Sequence, residues 1–258
     1  MPLAPSLDTI GIIARSAADL ALIWRSVFGE ENAGTANRHP KATALEAAFD
    51  ACDGEIAEVC RKAIAVLAET GVAIEPRPEF PEEADQNALL ILQAEAAREH
   101  RKRVDHKHID ATLRKRLHKG LLISDEELGK AVAARDRLQS DFLSRYVGDA
   151  AVTILPVMPI RTPDVAEVNP GSVYFNPRRL YALSRFTRFI NYLGLPALAV
   201  PAGFDSRGLP VGLQIVGPPG SEPVLLEMGA RLQARSDWHS RVPTAIAAEI
   251  AEEQTSTA

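Results

Sequence analysis

Apolar residues recur every three or four positions along much of the first 146 residues, which is the spacing of an amphipathic helix. A first helix is predicted between Ser16 and Gly29, because Ser16 and Asp19 can form a capping box and glycine favours a helix end. A second helix is predicted over residues 55–70. Residues 30–50 are polar and irregular, and we expect a loop there with a weak strand or helix.

Two more helical stretches are predicted before the pattern changes. Residues 82–119 show helical character, and a capping box at Ser124 begins another helix that continues to about Tyr146. The run 98–118 is basic and carries four of the six histidines, His100, His106, His108 and His118. Histidine is a common metal ligand. Residues two apart on a helix point to different sides, however, so we interpret this run as a solvated charged face.

The later part of the chain has shorter apolar runs, which are typical of buried strands. Strands are predicted over 151–155, 197–200 and 211–216, with another short one at 72–75 before a proline. Helices are predicted over 178–192 and from Ser221 to about residue 235. The alternation of helices and strands indicates an α/β fold. No repeat or linker divides it, so we expect one structural unit over 1–258 with a frayed tail at 247–258.

Composition narrows the class of protein. The 258 residues carry a net charge of −5 and only 5% aromatic residues, which disfavours nucleic-acid binding. The sequence has no run of eighteen apolar residues, so no membrane span is predicted. Residues 1–8 have no basic region of the kind that opens a signal peptide. The two cysteines, Cys52 and Cys60, are too few for a disulfide framework. We expect a cytoplasmic protein that binds neither nucleic acid nor membrane, and we interpret Cys60 as a buried apolar residue.

Common catalytic motifs are missing from this sequence. It has no Gly-x-Ser-x-Gly, His-Glu-x-x-His, Walker or Gly-x-Gly-x-x-Gly pattern. The Gly-Pro-Pro-Gly run at 217–220 precedes a helix, but two prolines remove N–H donors that a phosphate would need. Pattern and composition therefore indicate an α/β protein without assigning its chemistry.

Three segments resemble the amidase signature family. They are residues 2–11 (PLAPSLDTIG), residues 154–159 (ILPVMP) and the series 191–197 (NYLGLPA), 200–204 (VPAGF) and 208–217 (GLPVGLQIVG). Ile12 departs from the proline usual there. The resemblance implies part of an α/β/α layered fold with a mixed sheet, helix-rich in this portion.

The resemblance also implies the chemistry, which is cleavage of an amide C–N bond or transfer of its ammonia. Family enzymes use a serine nucleophile, a bridging serine and a lysine as a proton relay, with no metal or organic cofactor. Those groups precede the family segment that starts at Pro2 in this chain. No residue of this chain is therefore expected to be catalytic, Ser6, Ser16 and Ser172 included, and we expect the chain alone to be inactive.

A pocket wall is the role that the resemblance leaves for this chain. The proline-rich loop 156–176 is the main candidate, and a plain surface loop is an equally good interpretation. The substrate-pocket candidates are Met158, Tyr174, Phe175 and Arg185. Among Arg178, Arg179 and Arg185, we expect at least two guanidinium groups to be merely solvated.

Three polar residues of the matched segments are interpreted as structural. We expect Asp8 to bond its own turn, Asn191 to act as a local helix cap, and Gln214 to bond neighbouring backbone. A supporting role for Asp8 near the nucleophile is the alternative.

Expected partners follow from the same resemblance. A small amide would bind if an N-terminal half completes the chain, and an exposed sheet edge could cause self-association. Two alternatives stay open: a part of the glutamyl-tRNA amidotransferase A subunit, and a non-catalytic truncated product or binding module.

Overall fold

Five strands form one mixed sheet in the computed structural model, which describes residues 2–29, 40–243 and 246. The strands are β1 (Lys41–Leu45), β2 (Ala73–Arg77), β3 (Val152–Pro156), β4 (Ala197–Phe204) and β5 (Pro210–Val216). Their order is β2-β1-β3-β5-β4. Strand β1 is parallel to β2 and β3, whereas β5 is antiparallel to β3 and β4. The predicted α/β fold with a mixed sheet is therefore confirmed.

Helices cover both faces of this sheet. They are α1 (Ala17–Phe28), α2 (Glu46–Asp50), α3 (Gly54–Ala68), α4 (Glu82–Glu99), α5 (Ala111–Leu121), α6 (Asp125–Ala133), α7 (Arg135–Phe142), α8 (Val165–Val168), α9 (Pro177–Ala182), α10 (Arg188–Leu193) and α11 (Glu222–Gln233). Successive side chains of β3 point to opposite faces of the sheet. Ile154 packs in a core with α3 and α11, and Leu155 packs in a core with α4, α7 and α10.

Strand β1 is the main difference from the sequence prediction. The sequence predicts a loop with a weak strand or helix over residues 30–50, whereas residues 41–45 form a paired strand with four of its five residues buried between β2 and β3. Their sequence, Lys-Ala-Thr-Ala-Leu, lacks most of the β-branched and aromatic residues that mark strands. The buried Thr43 hydroxyl donates a 2.5 Å hydrogen bond to the Tyr146 carbonyl. Neighbouring strands, rather than local propensity, thus make β1 a strand.

The predicted helix over 82–119 is broken into two. Helix α4 ends at Glu99, and α5 begins after Asp110, whose carboxylate accepts hydrogen bonds from two N–H groups of the first turn. His106 and His108 lie in the turn between these helices, with ring centroids 5.1 Å apart, so the expectation that they diverge on one helix is wrong. Over the described ranges, no group of three His, Cys, Asp or Glu residues could hold a metal ion.

Two other predicted helices are also divided into shorter elements. The capping box at Ser124 is confirmed, but that helix divides into α6, α7 and a π-helical turn, Leu143–Val147. The stretch predicted over 178–192 divides into α9 and α10. Pro76 lies inside β2, which tolerates it because β2 is an edge strand.

The residues predicted to cap or end elements have mixed outcomes. Ser221 precedes α11 without making a side-chain capping bond, while Ser16 does accept from the Asp19 N–H.

Cys60 is buried, as predicted. The tail predicted to fray at 247–258 lies outside the described residues. In the ranges that the structure describes, no helix has the length and apolarity needed to cross a membrane.

Candidate functional site

Residues 3–8 form a tight turn, hereafter the N-terminal turn. The Asp8 carboxylate accepts hydrogen bonds from the Leu3 and Ala4 N–H groups, at 2.9 and 3.2 Å. The Ala4 carbonyl accepts from the Leu7 and Asp8 N–H groups, both at 2.8 Å. Asp8 therefore closes the turn through local backbone bonds, while Ala4 and Leu7 lie in the core.

Three helices hold the N-terminal turn in place. From α4, the Glu95 carboxylate accepts from the Ser6 N–H at 2.9 Å. From α7, the Arg135 guanidinium donates to the carbonyl and hydroxyl oxygens of Ser6, at 3.3 Å each. From α10, the Asn191 amide donates to the Leu7 carbonyl at 3.1 Å. The turn thus has side-chain partners distant in sequence, which hydropathy patterns cannot predict.

Asn191 therefore acts over long range and not as the local cap that its position at a helix end predicts. Gly194 ends α10 instead, with a φ of 64° that suits glycine. Its N–H group bonds the Asn191 backbone carbonyl. The Asn191 side chain is thereby left for the N-terminal turn.

A buried tyrosine supports Arg135. The Arg135 guanidinium carbon lies 5.2 Å from the centroid of the Tyr192 ring, within cation–π range. The Tyr192 hydroxyl donates to the Ala131 carbonyl at 2.6 Å and accepts from Asn87 at 3.4 Å. Burial raises the pKa of Tyr192, so the hydroxyl stays a donor at neutral pH. Arg135 has no sequence signal that would have singled it out.

Gln214 joins the end of the sheet to the segment before α10. Its amide nitrogen donates to the Pro156 carbonyl at 3.0 Å and to the Phe186 carbonyl at 2.7 Å, and the side chain is buried. Pro156 is the last residue of β3, where the proline-rich loop begins. Gln214 therefore fixes one end of the loop relative to the helical layer.

The first part of the proline-rich loop is clamped from two sides. Asp53 donates its backbone N–H to the Pro159 carbonyl at 2.7 Å, and its carboxylate accepts from the Arg161 N–H at 3.0 Å. From the β4–β5 turn, Arg207 donates to the Thr162 carbonyl at 2.8 Å, while paired with Asp205. Asp53 thus holds the loop and makes no side-chain cap on α3.

The four pocket candidates lie at three places along the chain. Met158 is half-buried in a shallow cleft with Ile160 and Pro210, at the clamped part of the loop. Tyr174 is exposed and Phe175 is half-buried, both just before α9. The fourth candidate, Arg185, lies between α9 and α10.

Two of the three candidate arginines are already paired with acids. Arg185 pairs with Glu82 of α4 at 2.9 Å and lies over the Phe80 ring. Arg179 pairs with Glu167 at 3.2 Å. A substrate carboxylate would have to compete with these acids for either guanidinium.

A buried ion pair lies beside Arg185, and no local sequence pattern predicts it. Arg188 of α10 contacts Asp85 of α4 through two nitrogen–oxygen pairs, each at 2.7 Å. The side chains are 11% and 7% exposed. Burial raises the pKa of Asp85, while the hydrogen bond from Arg188 opposes that shift. This pair ties the two helices that also hold the N-terminal turn.

Comparison with known proteins supplies the class to which this arrangement belongs. The family model described as Amidase matches residues 1–226. A solved structure described as "Crystal structure of amidase" superposes with a TM-score of 0.79 at 24% identity, over 91% of this chain and 54% of that one. The chain therefore belongs to the amidase family, as its sequence resemblance predicted.

Curated relatives extend beyond the matched region. The 2-amino-5-chloromuconic acid deaminase of Comamonas testosteroni is 26% identical over 245 residues, which are 91% of this chain and 52% of the deaminase. The glutamyl-tRNA(Gln) amidotransferase A subunit of Bordetella petrii is 38% identical over 114 residues, or 44% of this chain and 21% of that protein. The chain spans about half the length of the deaminase.

Proposed function

We propose that this chain is one half of an amidase that hydrolyses a carboxamide C–N bond. The observation that carries the proposal is the coverage: 91% of this chain aligns with about half of the deaminase and of the solved amidase. In this proposal the serine nucleophile, bridging serine and lysine come from the other half. The 258-residue chain contributes the sheet and helices that position one side of the cleft, and by itself it does not hydrolyse amides.

The proline-rich loop is the proposed contribution to substrate selection. Its clamped part presents Met158, and its later part presents Tyr174 and Phe175. An exposed aromatic ring on a loop is suited to the non-reacting portion of a substrate. Arg185 is proposed to contact the substrate only if its pair with Glu82 opens. No metal or organic cofactor enters the proposal, and a cytoplasmic location stays a prediction.

A second candidate is a protein that supplies ammonia for tRNA amidation. It is favoured by the higher identity, 38%, to the amidotransferase A subunit of Bordetella petrii. That match covers 44% of this chain, against 91% for the deaminase, so the simple amidase is preferred. A truncated product without catalysis is the remaining alternative.

The test is to join the unmatched half of the Comamonas testosteroni deaminase to this chain and to assay ammonia release. The substrates would be a panel of simple carboxamides that includes glutamine. We expect the joined protein to release ammonia and the 258-residue chain to stay at the buffer rate. Release from glutamine alone would favour the second candidate. A folded, monodisperse joined protein that is inactive on every amide would contradict both.

A further inference from the structure

Residues 163–182, hereafter the aromatic segment, are held together mainly by their own contacts. Glu167 lies at the centre of these contacts. Its carboxylate accepts a hydrogen bond from the Asp164 N–H at 3.0 Å and pairs with Arg179 at 3.2 Å, and its carbonyl accepts from the Asn176 N–H at 2.7 Å. These bonds make the segment a unit that carries both aromatic pocket candidates.

The aromatic segment has few links to the rest of the chain. None of its residues belongs to an apolar core of the described structure. Among the residues that the structure describes, hydrogen bonds, ion pairs and ring contacts from elsewhere reach the segment only at its last two residues. They reach Tyr181, which Arg188 and Arg116 contact, and Ala182, whose carbonyl accepts from the Arg185 N–H. The orientation of the segment therefore depends on how its two ends are fixed.

An arginine fixes the chain directly before the segment. The Arg207 guanidinium donates to the Thr162 carbonyl at 2.8 Å. It also donates two hydrogen bonds to the Asp205 carboxylate, at 2.8 and 3.0 Å, and the Asp205 side chain is 2% exposed. A guanidinium that forms two bonds to one carboxylate has a fixed orientation, so the bond to the Thr162 carbonyl is fixed as well.

A second arginine fixes the other end in the same way. The Arg188 guanidinium donates to the Tyr181 carbonyl at 3.3 Å, and two of its nitrogens contact the Asp85 carboxylate at 2.7 Å each. Each end of the segment is thus held by a backbone carbonyl, an arginine and a buried aspartate. Neither guanidinium is left free for a substrate.

We propose that Arg207 and Arg188 are positioning residues, which orient the aromatic segment through the Thr162 and Tyr181 carbonyls and thereby determine which amides the site accepts. This inference rests on the proposed function, since it assigns the two arginines to the selection of the substrate. They act through the aromatic rings of the segment and do not contact the reacting atoms.

Kinetics of Arg207→Ala in the joined protein test the inference. We expect the ratio of kcat/KM between bulky and small amides to change by about tenfold, with less than about a twofold change in kcat on the smallest amide. Arg161→Ala is the matched control, because the Arg161 guanidinium lies on the same loop but pairs with Glu55, at 3.6 Å. The control should leave the ratio unchanged.

A double-mutant cycle shows whether the arginines act through the rings. In a Tyr174→Ala, Phe175→Ala background, Arg207→Ala should not change the ratio further, because the groups that it positions are already absent. Arg188→Lys keeps a positive charge beside Asp85 but removes the planar fork that also reaches the Tyr181 carbonyl. It should therefore change the ratio in the same direction as Arg207→Ala.

Spin-label distances test the positioning without any activity. Labels on Val173→Cys and Leu122→Cys of the 258-residue chain, diluted with unlabelled chain, report the orientation of the segment, since these positions are 94% and 83% exposed. Burial raises the pKa of the Cys52 and Cys60 thiols to about 12, so both label slowly. We expect Arg207→Ala to widen the distance distribution about twofold.

Three kinetic results would overturn the inference: uniform rate losses across the amides, an equal effect of Arg161→Ala, or a further change of the ratio in the variant without the rings. A distance distribution that is unchanged in Arg207→Ala would also overturn it. A wider distribution in Arg207→Ala, together with a joined protein that is inactive on every amide, would support the positioning role while contradicting the proposed amidase activity.

Discussion

The buried pair of Asp85 and Arg188 is the residue-scale feature with the largest expected effect on stability. Asp85→Ala would leave the Arg188 charge buried without its partner, so we expect a loss of about 3–5 kcal/mol in the free energy of unfolding. Glu82→Ala breaks the neighbouring pair with Arg185, whose side chains are well exposed, and should cost at most about 1 kcal/mol. Urea unfolding of both variants measures the contrast, and equal losses would contradict it.

Asn191 gives a second prediction at this scale. Asn191→Ala removes the bond to the Leu7 carbonyl, so we expect faster hydrogen exchange at residues 3–8 and a loss of about 1 kcal/mol. Gln139→Ala is the matched control, because Gln139 donates to the Leu193 carbonyl near the same helix end without contacting the turn. Exchange at residues 3–8 that is unchanged in Asn191→Ala, or equally fast in the control, would show that the amide does not hold the turn.

The aromatic residues of the proline-rich loop carry the prediction about substrate choice. In an active joined protein, Tyr174→Ala or Phe175→Ala should change the ratio of kcat/KM between small and bulky amides more than it changes the rate on the smallest amide. The reason is that these rings would contact the part of the substrate that does not react. Kinetics on a size series measures the ratio. Uniform rate losses across the series would assign the loop a purely structural role.

Residue roles were only partly foreseeable from the sequence. The closed turn at Asp8 follows from local chemistry, because a short acid beside its own backbone is a familiar turn former. The roles of Arg135, Asp85 and Arg188 depend on partners far away along the chain, and no local pattern encodes such pairs. For Asn191, the position at a helix end predicted a local cap, whereas in the fold its side chain bonds a residue far away along the chain.

At the scale of elements, the sharp turn between α4 and α5 depends on close contact of two helix backbones. A Cβ atom at Gly120 would lie 2.2 Å from the Gln93 carbonyl oxygen of α4. Gly120→Ala should therefore force the helices apart and cost about 1–3 kcal/mol. Gly129→Ala is the control in α6, where nothing lies within 4 Å, and it should stabilise the protein by about 0.5–1 kcal/mol. Thermal unfolding of both variants measures these changes. If both substitutions raised Tm, or both lowered it, the proposed close contact at Gly120 would be contradicted.

Elements with strong local patterns were predicted well, and those formed by their neighbours were not. Strands β3 and β5 have continuous or alternating apolar residues, and their positions match the prediction closely. Strand β1 contains alanine, threonine, lysine and a single leucine, and only pairing with β2 and β3 makes it a strand. The break after α4 was missed because helical periodicity continues on either side of a turn closed by Asp110.

At the scale of the whole molecule, self-association depends on the exposed apolar surface as well as on the two edges of the sheet. Edge strand β2 carries Pro76 and two charged residues, features that discourage pairing with another chain. Edge strand β4 instead exposes the small apolar residues Ala197 and Ala199. Together with Ile10 and Ile13, which are 96% and 98% exposed, β4 is where we expect the isolated chain to associate, which refines the sheet-edge expectation drawn from the sequence.

Light scattering combined with hydrogen exchange on the purified 258-residue chain tests most directly whether this portion is incomplete by itself. We predict polydisperse association that increases with protein concentration and decreases in Ile10→Ser and Ile13→Ser, with fast exchange at β4. Large exposed apolar surface favours such association. A monodisperse monomer at all concentrations, with slow exchange across β3, β4 and β5, would contradict the account, because it would show that this chain completes its own core.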